Sequence, residues 1–308
     1  MQYVFLFPGQ GSQKVGMGDY LKEIPLCNEI FQKADQSLGF SITELMEKGP
    51  EEELTKTYHA QPAILTVAVA MGRYLMENGI MPSMMAGHSL GEYACLVLSD
   101  AMRFEDAVKA VHHRGKYMQE AVALGVGTMS AVLGLDDNII EQVCEEVTND
   151  GLLVEPANYN CPGQLVISGT VEGVRRASEF LKEKGAKRCI ELPVSAPFHC
   201  SLLEPASQRM EKLLETIEIN DPHIPYIANV DVDTITQKNQ IRDRLVSQID
   251  HPVLWTQTLT KLAFDFPKAT FVEVGAAKVV SGHLKKVYPD AKIVTTDSIA
   301  AVASLIQS

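Results

Sequence analysis

The chain has 308 residues, 46% of them hydrophobic, and a formal net charge of −12. That is enough for one large domain or two smaller ones with a real core, and the acidic balance argues against a broad basic face for nucleic acid. No apolar run approaches the ~20 residues of a membrane helix, and the N-terminal MQYVFLFPGQ lacks a signal peptide's basic region and apolar length. Six cysteines, at 27, 95, 144, 161, 189 and 200, form no CxxC pair. A metal or redox-pair function is therefore not indicated, and a reducing, cytoplasmic setting without membrane association is expected.

Taken in chain order, QYVFLF (2–7) predicts a buried strand ended by the tight loop PGQG. Residues 60–78 carry helical apolar spacing, with Ile64, Val67, Ala68, Met71 and Leu75 on one side. SMMAG (83–87) is a short apolar run before a Ser89 turn, and 90–98 and 104–121 read as helices. From 126 the pattern becomes strand, helix, strand, strand, helix, strand, ending in KRCIELPV. That is the ferredoxin-like order. After 196 the chain returns to alternation: helices over 202–217 and 252–264, a strand at 270–275, a helix in KVVSGHLKKV, a strand in KIVTT and a last helix over 298–307. Such alternation implies a mostly parallel sheet. The expected architecture is an α/β core built from 1–125 and 196–308, carrying a small ferredoxin-like subdomain at 126–195.

MAGHSLGEY (85–93) contains Gly-x-Ser-x-Gly. Three fixed positions of this kind recur by chance in roughly one chain in ten of this length, so the motif needs support from its surroundings. A strand before it and a helix after it supply the context of a nucleophile elbow. They also place Ser89 at a helix N-terminus, where developing negative charge is favoured. A serine needs a base. Of the eight histidines, His88 adjoins the serine and is expected to support the loop. His112 and His113 fall mid-helix on an expected surface. His199 lies in a two-proline loop between a strand and a helix, the sort of junction that carries function. Position alone does not select it.

The HGGG loop of α/β-hydrolases is absent. FPGQGSQ, after the first strand, could bring a backbone N–H beside Ser89, because adjacent parallel strands end on the same edge of a sheet. Phosphate-loop patterns GxGxxG and GxxxxGK[ST] do not occur. Arg114 is followed by Gly115 within a helical pattern, and a mid-helix glycine points to a close approach. From its own stretch Arg114 reads as a surface arginine; buried, it would need a carboxylate partner from protein or ligand.

Together, FPGQGSQ, GHSLGE, RGKYMQEAV, GTMSAVLGL, NYNCPGQLVISG, LPVSAPFHCSLLEPA, IANVDV and HPVLWTQTL resemble the landmarks of malonyl-CoA:acyl carrier protein transacylases, in family order and across nearly the whole chain. The resemblance implies an α/β-hydrolase-like core with an inserted ferredoxin-like subdomain. It implies transfer of malonyl from malonyl-CoA to the phosphopantetheine thiol of an acyl carrier protein, for fatty-acid or polyketide synthesis, with no bound cofactor and no metal. By match it assigns Ser89 as the acylated nucleophile and His199 as general base and acid. Gln248 becomes the residue whose carbonyl orients that imidazole, the backbone N–H groups of Gln10 and Leu90 the oxyanion hole, and Arg114 the malonyl anchor. Phe198 resembles the malonyl-selecting choice, a smaller residue leaving room for a methyl branch; Leu90 also resembles malonyl-type members. VGAAKVV at 274–280 and Asp100 depart from the family, which more often has Gly-Pro-Gly-Lys and glycine there. An acyl hydrolase that clears stalled carriers is the competing reading, disfavoured by Arg114; a non-enzymatic carrier-binding module with a dead site is a third. For an acidic carrier, the docking candidates are Lys182, Lys184, Lys187 and Arg188, or Lys285 and Lys286.

Overall fold

The computed structural model describes residues 2–194 and 196–307. Its first strand, β1 (Tyr3–Phe7), is buried at all five positions. Tyr3, Phe5 and Phe7 enter one hydrophobic cluster and Val4 and Leu6 another. Helices cover both faces of the sheet at this point, which is why the strand reads as an unbroken apolar run. β1 pairs in parallel with β2 (Pro82–Gly87) on one side and with β9 (Thr270–Glu273) on the other. Beyond them lie β10 (Lys292–Thr295) and the short strands β7 (Tyr226–Ile227) and β8 (Thr234–Ile235). The order is β10-β9-β1-β2-β7-β8, and only the β7–β8 pairing is antiparallel.

One face of this sheet is covered by α1 (Pro25–Leu38), α4 (Thr57–Glu77), α5 (Gly91–Leu98), α6 (Phe104–Glu120) and α9 (Glu204–Glu215). The other is covered by α11 (Trp255–Asp265) and α12 (Val280–Val287), through Trp255, Leu259, Leu262, Val280 and Leu284. Two short helices, α2 (Ile42–Lys48) and α3 (Glu51–Thr55), lie between α1 and α4; α10 (Arg242–Ser247) follows β8, and α13 (Ile299–Ile306) ends the chain.

A second, wholly antiparallel sheet has the order β4-β5-β3-β6. Its strands are β3 (Gly127–Leu133), β4 (Val154–Cys161), β5 (Gln164–Thr170) and β6 (Arg188–Glu191). With α7 (Asp137–Asn149) after β3 and α8 (Val171–Glu183) after β5, it has the ferredoxin-like arrangement. α7 and α8 pack through Ile140, Val143, Val147, Val174, Ala177 and Leu181 onto Val132, Val154, Leu165 and Ile167. The antiparallel sheet is tied to the segment leading into α11 where Val253 N donates to Ala157 O and Tyr159 N donates to Val253 O. Five of the six cysteines are buried and all six are free thiols. No helix among the described residues is long and apolar enough to cross a membrane.

Two oddities of the sequence have local explanations. A Cβ on Gly115 would lie 2.6 Å from the Thr57 carbonyl oxygen, so α6 can meet the start of α4 only with glycine there. Asp100 has φ 58°. It stands just past α5, where Asp100 N donates to Val97 O and Ala101 N to Leu96 O. This is the left-handed helix stop that glycine usually occupies, and Asp is one of the few other residues that tolerate it.

Candidate active site

Because β1 and β2 are parallel and Phe7 is level with Gly87, the chain segments leaving them emerge on the same edge of the sheet. The first is the loop of Pro8 to Gln13, and the second is the turn of His88 to Leu90. Ser89 sits in that turn with φ 51°, a left-handed conformation that needs support from its surroundings. Asn229 provides it: Ser89 N donates to Asn229 Oδ1 at 2.7 Å, and Asn229 Nδ2 donates to Gly87 O at 2.7 Å. Both motif glycines are demanded by close packing. A Cβ on Gly87 would fall 2.0 Å from the backbone of Gly91, and one on Gly91 would fall 2.6 Å from Phe7 O.

His199 arrives on the segment after β6, buried and with φ 59°. Its Nδ1 lies 2.7 Å from the backbone oxygen of Gln248, the residue that caps α10. A carbonyl can only accept, so Nδ1 carries the proton and Nε2 the lone pair. That lone pair accepts the Ser89 hydroxyl at 2.8 Å. Burial, with Arg114 nearby, pushes the imidazole pKa down to about 3, so the ring is neutral at physiological pH. This geometry and protonation state would let His199 take the Ser89 proton. Among the described residues no carboxylate touches the ring; the group on Nδ1 is a peptide carbonyl.

Arg114 corrects the expectation drawn from its own stretch, for it is 1% exposed. It projects from α6 into the site. Nη2 donates to Ser89 Oγ at 3.1 Å and to Gln248 Oε1 at 2.9 Å, and Nη1 donates to Gln61 Oε1 at 2.9 Å. Burial pulls its pKa down, while Tyr93 and Glu92 pull it up. Arg114 is in no ion pair among the described residues, and its Nε is buried without a hydrogen-bond partner. The carboxylate that a buried arginine calls for is not in direct contact with it. His112 departs from the expected surface position too: it is half-buried, with Nδ1 2.7 Å from Tyr58 O.

A cavity of about 260 Å3 opens onto Ser89 and His199. Arg114 and Gln61 lie on its wall, along with the apolar side chains of Met118, Met129, Leu192, Val194 and Phe198. Gln10 and Leu90 border it as well, and neither backbone N–H donates a hydrogen bond among the described residues. Ser89 N, by contrast, is engaged by Asn229. His88 does brace the turn, Nε2 pairing with Asn160 Oδ1 of β4 at 2.8 Å. Among the described residues no group of three or more His, Cys, Asp or Glu could hold a metal ion.

Three residues of this arrangement were not singled out in the sequence. Gln61 sits in the apolar stretch of α4, where a buried amide needs a partner. Asn229 lies in IANVDV and Glu92 in GHSLGE, motifs whose other members attract attention first. Glu92 Oε2 accepts from Gln248 Nε2 at 2.6 Å and from Asn229 N at 3.2 Å. Burial raises its pKa to about 7, against the lowering effect of those two bonds and of Arg114.

Comparison with known proteins gives the same direction. The acyl transferase domain family matches residues 4–304. The malonyl CoA-acyl carrier protein transacylase of Bacillus subtilis (strain 168) is 45% identical over 305 residues, 99% of this chain and 96% of that one. The solved malonyl CoA-acyl carrier protein transacylase of Coxiella burnetii superposes with a TM-score of 0.96 at 40% identity, covering 100% of this chain and 97% of that one. A malonyl-transacylase solved in complex with its type II PKS acyl-carrier protein superposes equally well, TM-score 0.96 at 39% identity, covering 100% and 99%. On full-length matches of this strength, over a fold that carries serine, histidine and arginine in one cleft, the chain belongs to the malonyl CoA-acyl carrier protein transacylase family of acyl transferases.

Proposed function

We propose that the protein transfers malonyl from malonyl-CoA, through an ester on Ser89, to the phosphopantetheine thiol of an acyl carrier protein, in fatty-acid or polyketide synthesis. The observation that carries this reading is the meeting of His199 Nε2 and Arg114 Nη2 on the same atom, Ser89 Oγ. A base there makes the serine a nucleophile, and a buried cation there selects an acyl group ending in a carboxylate.

His199 Nε2 takes the Ser89 proton as Oγ attacks the thioester carbonyl. The oxyanion formed is held by Gln10 N–H and Leu90 N–H. Its collapse expels the coenzyme A sulfur, which leaves with the proton from His199. The malonyl carboxylate draws Arg114 Nη2 away from Oγ, where the ester has replaced the hydroxyl. The carrier thiol then gives its proton to His199 as its sulfur attacks the ester carbonyl; the intermediate collapses by breaking the bond to Oγ, which takes the proton from His199, and malonyl leaves as the carrier thioester. The kinetics are ping-pong. Phe198 and the two methionines bound the space beside the acyl α-carbon and limit branching there. No bound cofactor takes part. We read residues 126–195 as a unit inserted into a body made of 1–125 and 196–308; the separate hydrophobic cluster under the antiparallel sheet supports this division.

Intact mass after incubation with malonyl-CoA tests the proposal. A malonyl adduct lost in Ser89→Ala and discharged by carrier protein is the expected result. No adduct, or release of free malonate faster than carrier loading, overturns it, the second outcome favouring the hydrolase.

A further inference from the structure

Glu92 is 1% exposed and does not line the cavity. Its link to the site runs through the side chain of Gln248. Gln248 Nε2 donates to Glu92 Oε2 at 2.6 Å and to Ser89 O at 3.1 Å, while Gln248 Oε1 accepts from Arg114 Nη2 at 2.9 Å. A cation and a carboxyl group, the latter anionic above its burial-raised pKa of about 7, are thus joined end to end through one neutral amide. The polarity of that amide is set by charge. Turned over, it would press its NH2 against the guanidinium and its oxygen against the carboxylate, two repulsive contacts in place of two attractive ones.

The spacing also resolves a conflict in the needs of Arg114. A guanidinium buried without counter-charge is strongly disfavoured. A carboxylate placed directly on it would occupy the donors that an incoming carboxylate needs. Glu92 lies one amide further away and leaves those donors unpaired with any protein carboxylate. Arg114 Nε and Glu92 Oε1, both buried, have no hydrogen-bond partner, so the two ends have not been built to satisfy each other. Glu92 also receives Asn229 N, from the residue that clamps the Ser89 turn.

We propose that Glu92 is a positioning residue for acyl selection: through Gln248 it orients and charge-balances Arg114 without occupying it, keeping the guanidinium available to the carboxylate of the acyl group. This rests on Arg114 as the malonyl anchor.

The test measures formation of the Ser89 acyl-enzyme from malonyl-CoA and from acetyl-CoA, for wild type, E92Q, R114A and the double variant E92Q/Q248E. E92Q should raise KM for malonyl-CoA and lower the malonyl-to-acetyl ratio about tenfold, with kcat for acetyl-CoA little changed. The double variant moves the carboxylate onto Arg114 itself and gives up the Gln248 Nε2 bond to Ser89 O. Its ratio should fall at least as far, and it decides the matter if E92Q alone does not fold. An unchanged ratio in E92Q, equal losses for both acyl groups, or a wild-type ratio in the double variant overturns the role of Glu92. Failure of wild type to take malonyl on Ser89, or an unchanged ratio in R114A, defeats instead the reading of the site on which the inference stands.

Discussion

Arg114 Nη2 and Ser89 Oγ lie 3.1 Å apart in the free protein. The cation proposed to grip the carboxylate therefore already touches the atom proposed to carry the acyl group. Malonyl places its carboxylate two bonds beyond the thioester carbonyl carbon, so a cation this close to the nucleophile can be reached only by a short acyl chain. Selection and attachment are parts of one geometry.

Arg114→Ala follows from that geometry. Hydrogen bonds to charged groups contribute about 1.5–3 kcal/mol, so kcat/KM for malonyl-CoA should fall roughly 10- to 100-fold. Acetyl-CoA makes no such bond and should lose much less. The check is acyl-enzyme formation measured with both thioesters; equal losses would remove Arg114 from acyl selection. Some stability should go too, because Gln61 Oε1 and Gln248 Oε1 each lose a buried donor.

Much of this was legible in the sequence because the constraints are local. The Ser89 turn is bracketed by glycines whose Cβ positions are filled by neighbouring backbone, and the β1 run is apolar because both faces are covered. No element is predicted over 14–59, although the stretch holds α1, α2 and α3. Its stop and start signals are present: Pro25 at the first turn of α1, Gly39 as its left-handed cap, and Ser41 accepting from Glu44 N at the start of α2. The strands β7 and β8 have two residues each, too few for a period to show. Arg114 reads as a surface residue from its own stretch because its buried partners, Gln61 and Gln248, are 53 and 134 residues away. The Glu92–Gln248 bond spans 156 residues and leaves no trace in local pattern.

The buried titrating groups predict opposing effects of pH on stability. His199 is neutral when folded, with a pKa of about 3, and His283 is lowered to about 4 by burial. Each binds fewer protons folded than unfolded below the ordinary histidine range. Their contribution is therefore fully present above about pH 6.5 and is lost as pH falls toward the folded values. Glu92 is raised from 4.5 to about 7. It binds more protons folded than unfolded, so its contribution is present below 4.5 and is lost as pH rises through 7. Between pH 5 and 6.5, His199→Gln should make unfolding free energy less pH-dependent, and Glu92→Gln should make it more so. Each slope should change by on the order of 1 kcal/mol per pH unit. Urea denaturation at several pH values decides it; slope changes of the same sign in both variants would contradict the assignments.

Asp100 sets up a stability ranking. Its φ of 58° favours glycine, and its carboxylate pairs with Arg73 Nη2 at 2.5 Å with 55% of the Asp side chain exposed. An ion pair so open to solvent contributes between nothing and about 1 kcal/mol. Glycine would relieve the backbone and lose the pair. Alanine would keep the backbone strain and lose the pair as well. The expected order is Gly at least equal to Asp, and both above Ala, with about 1 kcal/mol between glycine and alanine. Thermal denaturation of the three proteins checks it, and an alanine variant as stable as the glycine one would contradict the left-handed stop.

An acidic carrier protein would need a basic landing site on this acidic chain, and the two lysine groups are not equivalent in the structure. Lys285 Nζ donates to Pro289 O and Ala291 O at 2.9 Å each, closing the end of α12, which ties down its ammonium. Lys182 and Lys184 at the end of α8, with Lys187 and Arg188 at the start of β6, are all exposed and close in sequence. β6 is an edge strand of the antiparallel sheet, and the chain runs on from it to Leu192 and Val194 at the cavity. A carrier bound to this group would sit at the other end of this short strand from the cavity, roughly 13–17 Å along it. Exposed charges of this kind act mainly on encounter and weaken with salt. Replacing Lys182, Lys184 and Lys187 by Glu should raise KM for carrier protein by about tenfold or more at low ionic strength, and by less as salt is added. KM for malonyl-CoA in the acylation half-reaction should not move. If the carrier KM is unchanged at low salt while Lys286→Glu raises it, the landing site lies at α12 instead.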